Sequence, residues 1–236
     1  MRPEMLALLA AASWAIGSIF SAQASSKMGA FSFTRWRLFF ATVLLWSASI
    51  YSGHWRDLDA QAVWWLIASS LIGIFIGDTA LFACMNRLGP RRAGVLFATH
   101  ALFSVALAWV FLGETLWGLT LLGSILLVGG VMVAIAWGRR SDETHDWEQT
   151  RGTLRIGVLL GLVSALGQAV ATLMLKPLMS TGLDPITASA VRTAASFAAH
   201  ASLWALGLRV AQLAHPLNLS VLWNTFASAA VAMARR

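Results

Sequence analysis

Leu159-Leu160-Gly161-Leu162-Val163-Ser164-Ala165-Leu166 repeats, in pattern, a stretch near the start of the chain, Leu8-Leu9-Ala10-Ala11-Ala12-Ser13-Trp14-Ala15. Both are apolar, and both carry a serine at the sixth position. A lysine follows each, Lys27 or Lys176. Then comes a segment with an arginine near its start: Arg37-Leu38-Phe39-Phe40-Ala41 against Arg192-Thr193-Ala194-Ala195-Ser196. The chain thus divides into a first unit at residues 1–138, a polar linker at 139–155 and a partial second unit at 156–236. Repeated units of apolar spans point to alternating-access transport, in which two halves rock about a shared midplane site.

Composition identifies the solvent. Of 236 residues, 58% are hydrophobic and 11% charged, against roughly 25% charged in soluble domains. So much apolar surface cannot be hidden in one water-facing globule, and lipid is expected around it. A helical span takes about 20 apolar residues. Seven stretches qualify: 5–23, 34–51, 62–86, 93–112, 116–137, 156–176 and 186–208, with a marginal eighth at 219–234. The expected fold is therefore an all-α integral membrane protein with seven to eight transmembrane helices. Helices satisfy their own backbone in lipid.

The net charge of +7 sits mostly at span ends. It reads as topology and headgroup contact, not nucleic-acid binding. The basic residues near odd-numbered loops outnumber those on the other face, which places that face in the cytoplasm and the N-terminus outside. Trp55, Trp64, Trp65, Trp117 and Trp137 lie near span ends, as interfacial anchors do. Ala22-Gln23-Ala24 resembles a leader cleavage site, but the apolar stretch before it is longer than a signal core, so a retained first helix is expected. Cys84 is the single cysteine, so no intrachain disulfide is expected and a buried apolar role suits it.

Small residues recur at helical spacing. Ser69, Gly73 and Gly77 form one stripe; Gly157, Gly161, Ala165 and Ala169 form another. Such stripes let helices approach closely, and packing inside the protein is the expected use.

Candidate substrate- or ion-binding residues are the polar groups inside apolar spans. Asp78 is the one acid well within such a span, and intramembrane ionisable groups are costly enough to imply function. His100 lies at similar depth in the next span, roughly 10–12 Å from the same face at ~1.5 Å per residue. The two are expected to meet and to hold a proton, a cation or an amine, or else to form a structural hydrogen bond. Arg35 and Arg37 lie two positions apart and point to different sides of their helix. One is expected to snorkel to headgroups, and Arg37, matched to Arg192 by the repeat, to face inward. An anionic or zwitterionic solute would suit Arg37 and Arg192; an internal salt bridge or an arginine capping backbone carbonyls is the structural alternative. Gln168 lies near the midplane. Trp14 is either packing or a cavity wall. His200 is expected to make a buried hydrogen bond.

Rival classes fail on particular residues. A retinal-type photoreceptor needs a lysine mid-way along the seventh span, and none stands there. An intramembrane serine protease would have to use Ser124 and His100, but Ser124 belongs to a Gly-rich packing pattern. Metal-ligand spacing, phosphate loops and soluble catalytic motifs are lacking, so no enzyme activity, no cofactor and no metal is expected. The expected partners are the bilayer and a small-molecule solute; a homo-oligomer is left open.

Phe111-Leu112-Gly113-Glu114-Thr115-Leu116, followed by Leu122-Gly123-Ser124-Ile125-Leu126-Leu127-Val128-Gly129-Gly130-Val131, resembles the closing signature of an EamA-type domain of the drug/metabolite transporter superfamily. Leu88-Gly89-Pro90-Arg91-Arg92-Ala93-Gly94-Val95-Leu96 resembles that family's turn into its fourth helix. Ala101 stands where many members have proline. The resemblance implies two inverted five-helix repeats carrying small metabolites or drugs, with proton or ion coupling an open matter. It implies a bacterial inner (plasma) membrane as the location. It also implies an incomplete 5+5 fold, because a second unit as long as the first would run past Arg236. The alternative is a truncated, non-transporting membrane fragment, or a partial subunit that needs another chain. Gly113 suits the C-terminal cap of the fourth helix. Glu114 would then meet the free N–H groups at the start of the fifth, with a direct part in transport as the alternative.

Overall fold

The computed structural model describes residues 3–113, 118–137, 152–209, 212 and 219–233. Among these the chain is helical and contains no strand. The helices are α1 (Pro3–Met28), α2 (Ala30–Ser52), α3 (Ala60–Ser70), α4 (Thr79–Ala98), α5 (His100–Leu112), α6 (Leu119–Trp137), α7 (Leu154–Ser180), α8 (Pro185–Ala205) and α9 (Leu219–Met233). A π-helical segment, Leu71–Asp78, joins α3 to α4. By length and composition, Ala60–Phe111 and Leu154–Ser180 are long and apolar enough to cross a membrane.

The expected turn between the third and fourth spans is a sharp break rather than a loop. Gly89 has φ 79°, and Pro90 follows it. Proline disfavours helix at the residue before it, and glycine takes the left-handed region that other residues avoid. Gly113 ends α5 with φ 67°, its N–H bonded to the Ala108 carbonyl, which is the helix-ending geometry expected of it. Glu114 lies outside the described residues, as does most of the 139–155 linker.

The packing has a regular pattern. α2 lies against α8 at the centre. α7 runs along the π-helical segment and α4, while α1 runs along α9. α3 also packs on α8, and α9 on α2. Exchanging α1 with α7, α2 with α8, and α9 with the third span therefore maps these contacts onto one another.

Small residues make the contacts possible. A Cβ at Gly157 would stand 2.5 Å from Leu88, and one at Gly161 2.8 Å from Leu96. The stripe at Gly73 and Gly77 faces α7, so the two stripes expected from sequence serve packing within the chain. Hydroxyls tie helices together where the backbones come close: Ser49 to Thr187 at 2.7 Å, and Ser70 to Ser196 at 2.5 Å. One apolar core gathers Met28, Phe33, Phe82, Met85 and Leu96 with Cys84 buried among them. A smaller one surrounds Leu66, Ala188 and Val191. The outer surface is itself apolar, with Ile16, Trp64, Phe111, Leu126 and Trp223 exposed; in lipid this is the favourable arrangement.

The two ends differ in charge. Gly53, Asp57, Asp59, Gly182 and Asp184 mark one end, where His54 acts electrostatically on Asp184. Burial pushes the Asp184 carboxyl up, but hydrogen bonds from the Thr187 hydroxyl and from the Thr187 and Ile186 backbone, with His54, leave it below its ordinary value. The other end holds Lys27, Arg87, Arg91 and Arg92. There the Ser32 hydroxyl donates to the Gln212 carbonyl at 2.9 Å.

Candidate functional site

The site is built around a π-helical turn. A π-turn carries an extra residue and leaves a carbonyl badly placed for its own helix; such turns are frequent at functional sites. Here the amide of Gln168, on α7, supplies the missing donor: Nε2 donates to the Gly73 carbonyl at 3.0 Å. Gln168 reaches that far because α7 lies almost in backbone contact with the π-helical segment. A Cβ at Gly73 would stand 2.5 Å from Ala171 Cβ, and one at Gly167 would stand 3.0 Å from the Ile72 carbonyl.

The segment ends at Asp78, whose carboxylate is shared between side chains of α2 and α7. One guanidinium nitrogen of Arg37, on α2, donates to Oδ2, and Gln168 Nε2 donates to Oδ1 at 2.8 Å. The side chains of Arg37 and Asp78 are only 16% and 15% exposed. The Arg37 guanidinium also lies over the Phe82 ring, 5.0 Å from its centroid. Taking two charges out of water is costly, and hydrogen bonds on the remaining lone pairs offset that cost.

A cavity of about 260 Å³ opens beside this pair. Arg37, Asp78, Gln168 and Arg192 all reach its wall. Leu38, Leu45, Ile74, Leu81, Phe82 and Phe97 give it an apolar side. Ser18, Ser21 and Ser228 add hydroxyls from α1 and α9, and Ser21 and Ser228 bond to each other at 2.7 Å. Arg192 differs from Arg37. Both bury an Nε without a hydrogen-bond partner, but among the described residues Arg192 enters no ion pair, and its backbone carbonyl accepts from Ser70.

Several sequence expectations change here. Asp78 and His100 do not meet. His100 Nδ1 lies 3.1 Å from the Phe97 carbonyl, and its ring stacks on Phe97. Equal depth on neighbouring helices does not fix the direction in which each side chain points, and the break at Gly89 turns the following helix. Arg35 does not snorkel: it is buried, with its guanidinium 5.1 Å from the Trp204 ring centroid. Arg37 forms an internal salt bridge, the structural alternative given above. His200 makes the expected buried bond, Nε2 to Thr79 Oγ1 at 3.1 Å, between the rings of Phe31 and Phe75. The side chain of Trp14 lies outside the described residues. Sequence reading missed the π-helical turn, the Gln168 bridge and the Ser21–Ser228 link. The adjacent Gly73, Gly77 and Asp78 were the available signal.

The sequence model of the EamA-like transporter family matches residues 1–136 of the chain. No curated protein matches it.

Proposed function

The chain belongs to the EamA-like transporter family and is thus a membrane transporter, and from that premise we propose that it carries small organic solutes by alternating access. The cavity beside Asp78 is the solute site, and the two halves are residues 1–138 and 156–236, joined by the linker at 139–155. Seven to eight helices span the bilayer as part of a 5+5 inverted-repeat plan. The exchange pattern of packing, with α1 on α9 as α7 on the third span, supports two related halves.

The observation that carries this reading is the position of Asp78. Its carboxylate is held by Arg37 from one half and Gln168 from the other, at the wall of a polar cavity. A rocking motion must change the distance between those two donors, so solute access and the Asp78 bonds are coupled. The all-helical build suits a bacterial inner (plasma) membrane, because outer-membrane spanners are closed barrels. The basic end, with Arg87, Arg91 and Arg92, faces the cytoplasm.

The test needs no knowledge of the solute. With Cys84 replaced, a single cysteine at Ser18 is probed with a membrane-impermeant thiol reagent from each face in turn. Reaction from both faces, with crosslinks that close one face leaving the other open, is the expected result. Reaction from one face alone under all conditions would remove alternating access and favour a non-transporting chain.

A further inference from the structure

The geometry points to a small organic anion as the solute, with its carboxylate bound by Arg192 and one compact apolar body against the apolar lining. This rests on the reading of the cavity as a carrier's solute site.

The argument is one of charge and of which groups already have partners. Two guanidinium groups and one carboxylate reach the cavity: Arg37, Arg192 and Asp78. Asp78 is already paired, with Arg37 on Oδ2 and Gln168 on Oδ1. Arg192 lies in its field but forms no ion pair with it or with any other described acid. The cavity therefore carries one positive charge in excess. Arg192 Nε, like Arg37 Nε, is buried without an acceptor; Arg192 differs in that its charge also has no ion-pair partner among the described residues, an arrangement that costs free energy until an anion arrives. The other polar groups there are neutral: Thr193 Oγ1 donates to carbonyls of its own helix, and Ser21 and Ser228 bond to each other, so none of them balances the Arg192 charge.

The shape of the missing partner follows from the guanidinium. Its planar fork matches a carboxylate with two parallel hydrogen bonds, a geometry that a neutral amide or an alcohol cannot reproduce. The rest of the lining is largely aliphatic and aromatic, with Leu45, Ile74, Leu81 and Phe97. The volume of about 260 Å³ lies just below the range of typical ligand sites, roughly 300–1,000 Å³. A single ring or a short chain with one acid group fits both constraints. A solute bearing only a cationic group would meet two guanidinium groups and an acid already taken.

The experiment uses the purified chain in nanodiscs and three probes of nearly equal size: radiolabelled benzoate, benzamide and benzylamine. Saturable binding of benzoate, with benzamide at least tenfold weaker and benzylamine weaker still, is expected. Arg192→Gln should bring benzoate down to the benzamide level while leaving benzamide itself unchanged; Arg192→Lys should recover part of the loss. Equal binding of benzoate and benzamide to the unmodified chain would overturn the assignment, and so would an Arg192→Gln variant that binds benzoate normally. Preference for benzylamine would keep the cavity as a solute site while removing its anion selectivity. If no probe binds, yet Ser18→Cys still reacts from both faces, the assignment to organic anions fails and the carrier reading stands.

Discussion

Gln168 holds both ends of the π-helical segment: one amide nitrogen donates to Gly73 near its start and to Asp78 at its end, at 3.0 and 2.8 Å. This single α7 side chain both repairs the backbone of the wide turn and fixes the carboxylate beside the cavity. Gln168→Leu leaves a carbonyl and a carboxylate oxygen without donors. The expected loss is about 1–3 kcal/mol of stability, together with reduced transport. Thermal unfolding in nanodiscs would measure the first. An unchanged midpoint would show that the bridge contributes nothing.

The Arg37–Asp78 pair should behave as a coupled unit. Asp78→Asn leaves the Arg37 charge shielded and unpaired, at a cost of about 3–5 kcal/mol. The double variant Arg37→Met with Asp78→Leu removes both charges and should be more stable than either single variant. A double-mutant cycle on unfolding reads the coupling directly; additive losses would mean that the pair is held apart in the working protein.

Close approach predicts a clash and its cure. Gly73→Ala would put a methyl 2.5 Å from Ala171 Cβ, a distance that real atoms do not tolerate. Overpacking of this kind costs about 1–3 kcal/mol. Adding Ala171→Gly should restore most of the lost stability. A Gly73→Ala variant that unfolds normally would show that α7 and the π-helical segment are not in contact.

Ser21 and Ser228 offer a way to lock the two halves. Their hydroxyls are 2.7 Å apart, and the proposed division of the chain puts α1 and α9 in different units. With Cys84 replaced, Ser21→Cys and Ser228→Cys should crosslink under mild oxidation. The oxidised protein should keep its helical content and lose exchange of the cavity between faces, and reduction should restore it. Full exchange in the crosslinked form would exclude relative motion of α1 and α9.

The N-terminal cap of α8 gives a pH dependence. Asp184 accepts from the Thr187 backbone at 2.8 Å and from its hydroxyl at 2.7 Å. Folding holds the carboxyl below its ordinary value of 3.8, so the folded state favours the charged form. The stabilisation is complete above that value and disappears as pH falls through the lower, folded one. Asp184→Ala should cost about 1 kcal/mol at neutral pH and progressively less in strong acid. A constant difference down to the lowest measurable pH would show that the cap is not electrostatic.

How much was legible in the sequence differs from residue to residue. The all-helical build was readable because lipid leaves the backbone few alternatives, and because long apolar runs are counted directly. The family was readable from the motif around Gly113, whose role as a helix end depends only on local backbone freedom. The turn at Gly89-Pro90 was readable for the same local reason. The repeat drew Arg37 and Arg192 to attention, and both reach the cavity.

The partner of Asp78 was not legible. A sequence gives depth along a helix, but the rotation of one helix against another is set by how their side chains interlock. The π-helical turn adds to this, because one extra residue rotates everything beyond it by about a quarter-turn or more without leaving a mark in composition. So Asp78 faces Arg37 and Gln168, while His100 turns to Phe97. Sequence alone determined the helices, the solvent they face and the family, since each follows from local composition and motif. Only tertiary structure decided which charges are paired and that the Arg192 charge has no ion-pair partner among the described residues, since pairing depends on distances between residues 41 and 90 positions apart in the chain.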